Sequence, residues 1–184
     1  MSKNVPAISI IIPMYNAEEY IAACLQSLLN QTFGDFEVLV VDDCSTDNSA
    51  VIVKSFMPAF DGRLILQRTK KNSGLPYFPR NKALGTARGK YVTFLDNDDL
   101  LLENAVRDLF DNAELFDADF VLTEKYIELN GERSHEKTYQ KGAFVDAPTP
   151  FKDSLDKRVT NFVNGRFMWD VWGKLFRRDF SARQ

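Results

Sequence analysis

The chain has 184 residues, a formal net charge of −3, 45% hydrophobic residues and 27% charged residues. This length and composition are those of one folded domain and exclude a disordered chain. The charge argues against a nucleic-acid partner, because nucleic-acid-binding domains carry a basic stripe. Cys24 and Cys44 have no metal-ligand or redox spacing. The single histidine, His135, leaves too little for a zinc site or a Ser–His–Asp triad.

Neither a membrane span nor a signal peptide is expected from the sequence. The longest apolar runs are the length of strands, far below the roughly 20 residues that a spanning helix needs. Met1–Pro6 contains one lysine, and no long apolar segment follows it as it would in a secretory signal. Together with the spacing of the cysteines, this predicts a cytoplasmic protein with reduced thiols.

Strand patterns and helix patterns alternate through the first two-thirds of the chain. Short β-branched runs predict buried strands, and apolar residues at helical spacing predict amphipathic helices. Ser45, Thr46 and Asp47 are candidate N-caps of the second helix. The predicted elements in order are strand Ala7–Pro13, helix Glu18–Asn30, strand Phe36–Val41, a helix ending near Phe56, strand Leu64–Gln67, helix Arg80–Ala87, strand Tyr91–Leu95, helix Leu101–Phe116 and strand Asp119–Leu129.

This alternation predicts an α/β fold with a parallel sheet and helices on both faces. Asn72–Pro79 is a predicted Gly/Pro loop, and Asn130–Gly131 is a tight-turn signal that predicts a hairpin. After this turn the periodicity weakens, but no linker divides the chain into two domains.

The first acidic cluster is Asp42–Asp43, directly after the apolar run Phe36–Val41. In open α/β sheets ligands bind beyond the carboxyl ends of the strands, so these side chains are expected to face a crevice. A carboxylate only accepts hydrogen bonds, which suits ribose hydroxyls or the imide N–H of uracil. The alternative is that one or both residues cap the helix that follows.

The second cluster is Asp96-Asn97-Asp98-Asp99, a D-x-D pattern after the run Tyr91–Leu95. Crowded carboxylates repel one another, and a bound cation offsets that repulsion. Mg²⁺ and Mn²⁺ favour oxygen ligands and often share them with a diphosphate. The alternatives are a turn that caps the helix Leu101–Phe116 and the D-x-D of a phosphatase or polymerase. An EF-hand is excluded, because Leu101 stands where that loop needs glycine.

Several common nucleotide and nucleophile motifs are absent from the sequence. Without G-x-G-x-x-G there is no dinucleotide fingerprint, and without G-x-x-x-x-G-K-[ST] there is no P-loop. The G-x-S-x-G elbow of α/β-hydrolases is missing as well.

Four segments follow one another in a distinctive order and spacing. They are Ile8–Asn16 (ISIIIPMYN), Val40–Ser49 (VVDDCSTDNS), Asn72–Asp99 (NSGLPYFPRNKALGTARGKYVTFLDNDD) and Trp172–Arg178 (WGKLFRR). The chain thereby resembles the family 2 glycosyltransferases with the GT-A fold. The combination of the first three segments is highly specific, and the fourth resembles a segment of capsule and exopolysaccharide transferases.

The resemblance implies a Rossmann-like, mostly parallel central sheet flanked by helices, with a small antiparallel hairpin portion in the C-terminal part. It implies a single domain over residues 1–184. Residues up to about 100 would form the half that binds the nucleotide-sugar donor, and the rest would begin the acceptor half.

The resemblance also implies which residues bind the donor. They are Pro13, Tyr15, Asn16 and Glu18 around the base and ribose, Asp43 with Asp42 beside it at the uridine, Asn72 and Gly74 beside the donor, and the pair Arg80–Asn81. Simpler alternatives stay open: packing for the tyrosine, a favourable helix N-terminus for the glutamate, a surface ion pair for the arginine, and caps or turns for Asn16 and Asn81.

At the second cluster, Asp96 and Asp98 match the D-x-D of the family. Asp98 is the residue expected to contact Mn²⁺ or Mg²⁺. Asp96 is expected to face the ribose or sugar, with Asn97 beside it, or to share the metal, and Asp99 to face the donor sugar.

The sequence departs from the family in two places. The loop Leu75–Pro79 has two prolines and two aromatic residues where smaller residues are expected, which predicts a narrower donor pocket. The catalytic base of the family normally lies in an acidic motif further along than Trp172–Arg178. We therefore expect the base beyond Gln184 in a longer protein; Asp170 and Asp179 are substitutes that the pattern favours only as surface acids.

The function implied is transfer of a sugar from a nucleoside diphosphate, UDP by family preference, to the hydroxyl of a saccharide or lipid-linked acceptor in polysaccharide synthesis, with inversion. Two other functions are weighed: a D-x-D phosphotransferase, and a fragment or partner that binds nucleotide-sugars without turnover.

Two interpretations are open for the basic and aromatic run near the C-terminus. Lys174, Arg177, Arg178 and Arg183 would contact an anionic membrane face, at the inner side of the membrane where a lipid-linked acceptor sits. Otherwise the run is a solvated helix that packs its aromatic residues on the core. Trp169 and Trp172 would stack on an acceptor sugar or pack in the core.

Overall fold

A computed structural model describes residues 5–123, 125–130, 133–138 and 173–179. Strands and helices alternate up to α4, and the described residues after it form four further strands. In chain order the elements are β1 Ile8–Met14, α1 Ile21–Leu29, β2 Phe36–Asp42, α2 Ser49–Phe56, β3 Leu64–Arg68, α3 Tyr77–Leu84, β4 Tyr91–Phe94, α4 Ala105–Leu115, β5 Phe120–Leu122, β6 Lys125–Asn130, β7 Arg133–Thr138 and β8 Lys174–Arg177.

Six strands form one sheet in the order β3-β2-β1-β4-β8-β5, and β6 and β7 form a separate hairpin. The first four strands are parallel neighbours, whereas β8 runs antiparallel between β4 and β5. The predicted mostly parallel α/β sheet and the hairpin at Asn130–Gly131 are thus confirmed. The chain runs from β1 to β2 and β3 on one side and then returns to β4 on the other side of β1, so the strand order reverses between β1 and β4. Ligands bind at such a point in open sheets.

The two faces of the sheet are covered by different helices. Side chains alternate along β1, so Ile10 and Ile12 pack in a large cluster with residues of α1, α2 and α4. Ile11 points to the other face, where it packs with Ala83 of α3 and Ala87. Helix α3 therefore crosses the face opposite α1 and α2, and it carries the chain from the edge strand β3 back to β4.

A buried polar cluster holds the chain that follows α3 against the amino ends of the strands. Glu37, which is 2% exposed, accepts hydrogen bonds from Ser9 Oγ at 2.8 Å and from both the backbone and the guanidinium of Arg88. Gly89 N donates to Ser9 Oγ at 2.8 Å, and a Cβ at Gly89 would lie 2.4 Å from Ser9 N. Only glycine fits there, and the chain after α3 is held against the sheet.

The start of α3 differs from the prediction of a loop through Pro79. Helix α3 begins at Tyr77 with Pro76 as its N-cap, where φ is −69°. Pro79 lies in the first turn, where a backbone N–H has no acceptor within the helix, so proline is tolerated. The predicted caps of α2 were also wrong: Asn48 is the N-cap, and α2 begins at Ser49.

The described part of the C-terminal run forms a strand, which corrects the helix interpretation. Leu175 packs in the core, while Phe176 lies on the other face against Phe94 and Phe120. Lys174 and Arg177 are 7% and 5% exposed. The predicted strand Asp119–Leu129 is divided between β5 and β6. In the described part of the chain, no helix is long and apolar enough to span a bilayer. Arg183 lies outside the described residues.

Candidate functional site

A cleft of about 420 Å³ opens at the carboxyl ends of β1, β2 and β4. Its position is the one expected for a ligand site, since these three strands are neighbours around the reversal of strand order. The lining residues are Pro13, Met14, Tyr15, Asp43, Asn72, Gly74, Leu75, Pro76, Pro79, Arg80, Asp96, Asn97 and Asp98. Most of the residues that the sequence suggested are thus brought together.

The loop after β1 is tied to the loop after β2. Asn16, with φ of 46°, donates its N–H to Ser45 Oγ and accepts from Thr46 N at 2.8 Å. Glu18 Oε2 accepts from the backbone and side chain of Asn48, both at 2.9 Å. Both residues lie outside the cleft lining, and their bonds hold the loop that presents Tyr15, which is 48% exposed, at its edge.

The two residues of the first acidic cluster have different surroundings. Asp42 is 1% exposed; its Oδ1 accepts from Ser45 N at 2.8 Å and its Oδ2 lies 3.4 Å from Arg68 Nη1. It does not line the cleft. Asp43 is 4% exposed and does line it. The first residue shapes the turn, and the second faces the site.

Asp43 is held by the chain that follows β3. Its Oδ1 accepts from Thr69 Oγ1 at 2.7 Å, and its Oδ2 accepts from Ser73 N at 2.8 Å and Ser73 Oγ at 2.6 Å. Burial opposes ionisation of this carboxyl, but the hydrogen bonds from Ser73 and Thr69 outweigh it and lower the pKa of Asp43. Asp43 is therefore a charged acceptor across the neutral pH range.

Asp96, the first residue of the D-x-D, is paired inside the cleft. Arg80 Nη2 forms a short ion pair with Asp96 Oδ1, and the guanidinium also lies 6.0 Å from the centroid of the Phe94 ring. Asn97 Nδ2 donates to Pro13 O at 3.0 Å, which ties the end of β4 to the end of β1. The pairing places the positive charge of Arg80 in the cleft, beside the acidic cluster.

Asp98 and Asp99 are exposed, and no described residue donates a hydrogen bond to either carboxylate. Helix α4 begins only at Ala105, so neither residue caps it. The pKa of Asp99 is raised, first by partial loss of water around the carboxyl and then by the charges of Asp98 and Asp96. Beyond the pair of Asp96 with Arg80, the described residues form no ion pair with the carboxylates of Asp98 and Asp99.

These oxygen ligands suit Mg²⁺ or Mn²⁺. Within the described residues, no group of three Asp, Glu, His or Cys side chains could by itself enclose a metal ion. A bound ion would therefore take one or two carboxylates from the protein and its other ligands from a diphosphate and water, as Mg²⁺ usually does.

The loop after β3 forms the opposite wall of the cleft. Gly74 has φ of 72°, a conformation that favours glycine, and its N–H donates to Asn72 Oδ1 at 2.6 Å. Leu75, Pro76 and Pro79 line the cleft. The proline-rich loop does therefore contribute to the wall of the site. Asn81 is exposed on α3 and is not part of the lining.

Asp179 lies at the wrong end of the sheet to serve the cleft. Arg177 pairs with Tyr91 at the start of β4, and Arg178 N donates to Lys90 O at 3.0 Å. The D-x-D follows the other end of β4, a strand of roughly 13 Å. Asp179 is thus a surface acid and not a catalytic base for this site. Asp170, Trp169 and Trp172 lie outside the described residues.

Thr69 and Ser73 are site residues that sequence reasoning missed. Both stand in a polar loop, and nothing in their spacing marks a carboxylate as their partner. The only available signal was that a buried carboxylate after β2 needs donors, which the loop after the adjacent parallel strand can supply.

Comparisons with known proteins agree with this geometry. The sequence model described as Glycosyl transferase family 2 matches residues 9–176. The uncharacterized glycosyltransferase EpsJ of Bacillus subtilis is 32% identical over 179 residues, 97% of this chain and 50% of EpsJ. The poly(ribitol-phosphate) beta-N-acetylglucosaminyltransferase TarP of Staphylococcus aureus is 33% identical over 142 residues, 76% of this chain and 43% of TarP.

Among solved structures, residues 1–349 of S. aureus TarS in complex with UDP-GlcNAc match with a TM-score of 0.68 and 30% identity. The match covers 96% of this chain and 46% of that chain. This chain spans half or less of the length of each of these three proteins.

Proposed function

The chain belongs to glycosyl transferase family 2, and from that premise we propose that its cleft binds a UDP-sugar for transfer to an acceptor hydroxyl in polysaccharide or glycoconjugate synthesis. The observation that carries the proposal is the convergence of Asp43, Arg80, Asp96 and Asp98 in one cleft at the strand ends. The TarS complex, a similar fold with UDP-GlcNAc bound, supports the choice of donor.

Each cleft residue has a proposed task in holding the donor. Asp43, ionised and fixed, accepts the imide N–H of uracil. The exposed ring of Tyr15 packs against the base or ribose, and Asp96 faces the ribose or sugar. Arg80 is close enough to the acidic cluster to offset charge on the leaving diphosphate. In this proposal residues 1–100 form the donor half and residues 101–184 begin the acceptor half.

We assign the metal to Asp98, with Asp96 as a second ligand when Arg80 turns to the diphosphate. When bound, Mn²⁺ or Mg²⁺ supplies positive charge that stabilises the leaving group. The exposed carboxylate of Asp98 fits this task, because no described side chain or backbone group already bonds it. Asp99 is proposed to face the donor sugar.

The proposed reaction is a single displacement with inversion. The acceptor oxygen forms a bond to the anomeric carbon while the bond to the diphosphate oxygen breaks. A carboxylate base takes the hydroxyl proton, and the diphosphate leaves with the bonding electron pair. Asp179 does not fit the role of that base, because it lies at the amino end of β4, opposite the end that carries the D-x-D. The similarity to TarP, whose name gives poly(ribitol-phosphate) as its substrate, supports the hydroxyl of a polymer as the class of acceptor.

Two rival functions remain as outcomes to be tested. Family membership favours glycosyl transfer over the activity of a D-x-D phosphotransferase. Release of phosphate from simple phosphomonoesters would support the phosphotransferase instead. A chain that binds nucleotide-sugars without turnover would bind UDP but show neither sugar transfer nor donor hydrolysis.

Calorimetric titration of UDP, with and without Mn²⁺, tests the donor and metal assignments. Wild type is expected to bind more tightly with Mn²⁺. In Asp98→Ala the increase in UDP affinity that Mn²⁺ gives is expected to be smaller by more than about tenfold. Residues that only support a metal ligand already change metal affinity by about 10–100-fold. Asp179→Ala, which removes a distant exposed acid, is the matched control. An unchanged Mn²⁺ effect in Asp98→Ala would refute the metal assignment.

Membrane contact is proposed at α3 and its preceding loop, since two of the basic residues in the C-terminal run, Lys174 and Arg177, are buried. All charged residues between Gly62 and Leu95 are basic. Lys70, Lys71 and Lys82 are exposed, and no described carboxylate pairs with them.

Exposed apolar side chains accompany these lysines: Leu75, Tyr77 and Phe78 are 51%, 48% and 49% exposed. Aromatic rings with lysines suit the interface of anionic lipids, which give the cytoplasmic leaflet its negative potential. Co-sedimentation with phosphatidylglycerol vesicles, but not with phosphatidylcholine vesicles, is expected. It should be lost in Tyr77→Ser/Phe78→Ser, and equal sedimentation of this variant and wild type would refute the assignment.

A further inference from the structure

The Asp43 carboxylate has most of its acceptor capacity occupied by the loop after β3. Thr69 Oγ1 lies 2.7 Å from Asp43 Oδ1 and 2.9 Å from Lys71 O. Ser73 Oγ lies 2.6 Å from Asp43 Oδ2 and 3.1 Å from Leu75 O. Each hydroxyl has one proton. It goes to the carboxylate, because that acceptor is both nearer and charged.

The two oxygens of Asp43 are occupied unequally. An ionised carboxylate offers about four acceptor positions, two on each oxygen. Oδ2 accepts from Ser73 N and Ser73 Oγ and is therefore saturated, whereas Thr69 Oγ1 is the one described donor within hydrogen-bond geometry of Oδ1. One acceptor position remains, on Oδ1, in a residue that lines the cleft.

Nucleobases differ in what they present to such an acceptor. Uracil offers a single imide N–H between two carbonyl groups. Guanine offers two adjacent N–H donors, from its ring nitrogen and its amino group, and these pair best with both oxygens of one carboxylate. With Oδ2 saturated, a guanine amino group at this position would be left without an acceptor.

We propose that Ser73 determines base specificity: by occupying both acceptor positions on Oδ2 of Asp43, while Thr69 holds Oδ1 in place, it admits uracil and rejects guanine. The inference rests on the proposed function, in which the base lies at Asp43. Neither residue need touch the nucleotide, so both act through Asp43 as positioning residues. A buried donor without a partner weakens binding by about 10- to 100-fold, which sets the expected selectivity.

Ser73→Ala is the decisive substitution. It removes the hydroxyl but keeps the backbone N–H, so one position on Oδ2 becomes free. UDP and GDP are titrated separately into wild type and variant with Mn²⁺ present. The ratio of the GDP to the UDP dissociation constant is expected to fall by about tenfold in Ser73→Ala.

Thr69→Val is the matched comparison, because it removes a hydroxyl from Oδ1 and leaves Oδ2 saturated. It should weaken UDP binding without admitting GDP. Ser55→Ala removes an exposed serine hydroxyl on α2, which donates to Ile52 O, and is expected to change neither affinity.

The pH dependence of UDP binding separates positioning from a general structural effect. The hydrogen bonds from Ser73 contribute to the low pKa of Asp43. Without the hydroxyl that pKa rises, so the acid limb of UDP binding should move to higher pH in Ser73→Ala. A purely structural role would lower affinity by the same factor at every pH.

The possible results separate this inference from the function on which it rests. Wild type that binds UDP, with an unchanged GDP/UDP ratio in Ser73→Ala, overturns the specificity inference alone. Wild type that binds GDP as tightly as UDP also overturns it, although the cleft would still be a nucleotide site. Wild type that binds neither nucleotide overturns both proposals.

Discussion

The two acidic strand ends of the cleft use the same residue type in opposite ways. After β2, Asp42 and Asp43 are 1% and 4% exposed and accept hydrogen bonds from the surrounding loops. After β4, Asp98 and Asp99 are exposed, and the charge of Asp98 raises the pKa of Asp99. The surrounding loops donate hydrogen bonds to the first pair, whereas no described residue donates to the carboxylates of the second pair, which suit a cation or a ligand.

The first aspartate of each cluster nevertheless follows one rule. Asp42 pairs with Arg68 and Asp96 pairs with Arg80, and both arginines come from the basic stretch between Gly62 and Leu95. The two strand ends therefore differ in the surroundings of the later aspartates, Asp43 in the first cluster and Asp98 in the second. Asp43 lies beneath the loop after β3, which provides its donors, while no described loop covers Asp98. The packing around a carboxylate, and not its place in a motif, decides whether it is an anchor or a site for a ligand.

The largest expected effect is a difference in alkylation rate between two cysteines, Cys44 in the segment that follows the first cluster and Cys24 beside the second. Cys24 is buried, and its Sγ lies 3.6 Å from Asp96 O; burial, with the charges of Asp99, Asp98 and Asp96, raises its pKa to about 12. At pH 8 about one Cys24 thiol in 10⁴ is ionised. Iodoacetamide should modify the partly exposed Cys44 well before the buried Cys24, as measured by peptide mass spectrometry.

Unfolded protein is the control for this labelling, since both cysteines should then react at similar rates. Equal labelling of Cys24 and Cys44 in the folded protein would contradict the burial of Cys24 beneath the second cluster.

Substitution of the anchors should affect stability more than substitution of the exposed acids. Asp42→Ala removes an acceptor from Ser45 N and a charge from beside Arg68. Because hydrogen bonds to buried charged groups contribute about 1.5–3 kcal/mol, we expect the free energy of unfolding to fall by about 2–3 kcal/mol. Chemical denaturation measures this value.

Asp98→Ala is the paired variant for this measurement. It relieves repulsion with Asp99 and breaks no hydrogen bond to a described residue, so its free energy of unfolding should stay within about 0.5 kcal/mol of wild type. A loss in Asp98→Ala as large as that in Asp42→Ala would abolish the distinction between the two strand ends.

The fold was largely predictable because its elements have strong periodic patterns. β1, β2 and β4 are short, mostly apolar runs, and their boundaries were predicted to within one residue. β8 was not predictable as a strand. Its four residues are stabilised by pairing with β4 and β5, which are distant in sequence, so no local pattern identifies it.

The candidate site was predictable in composition but not in its internal hydrogen bonds. Strand ends and the family resemblance identified Asp43, Asp96 and Asp98 as neighbours. The separation of Asp42 from the cleft, and the occupation of Asp43 by Thr69 and Ser73, depend on backbone positions in the loop after β3. A sequence shows which residues can donate, but not which carboxylate receives the donation.

The smallest expected effect is the contribution of Asp43 to acid stability. Its folded-state pKa lies below the ordinary value of 3.8, because donors from Ser73 and Thr69 outweigh its burial. Its stabilisation is therefore complete above that ordinary value and is lost as pH falls through the folded-state pKa. In wild type the free energy of unfolding should fall more steeply below pH 3.8 than in Asp43→Asn, which cannot titrate.

The comparison is of slopes, because Asp43→Asn also changes the baseline by presenting an amide to the Ser73 donors. Asp111→Asn, which removes an exposed carboxylate from α4, controls for the loss of one negative charge. Parallel curves for wild type and Asp43→Asn below pH 3.8 would mean that the loop after β3 does not hold this carboxylate. In that case the anchor at the end of β2 would be Asp42 alone, and the contrast between the two strand ends would reduce to one buried residue.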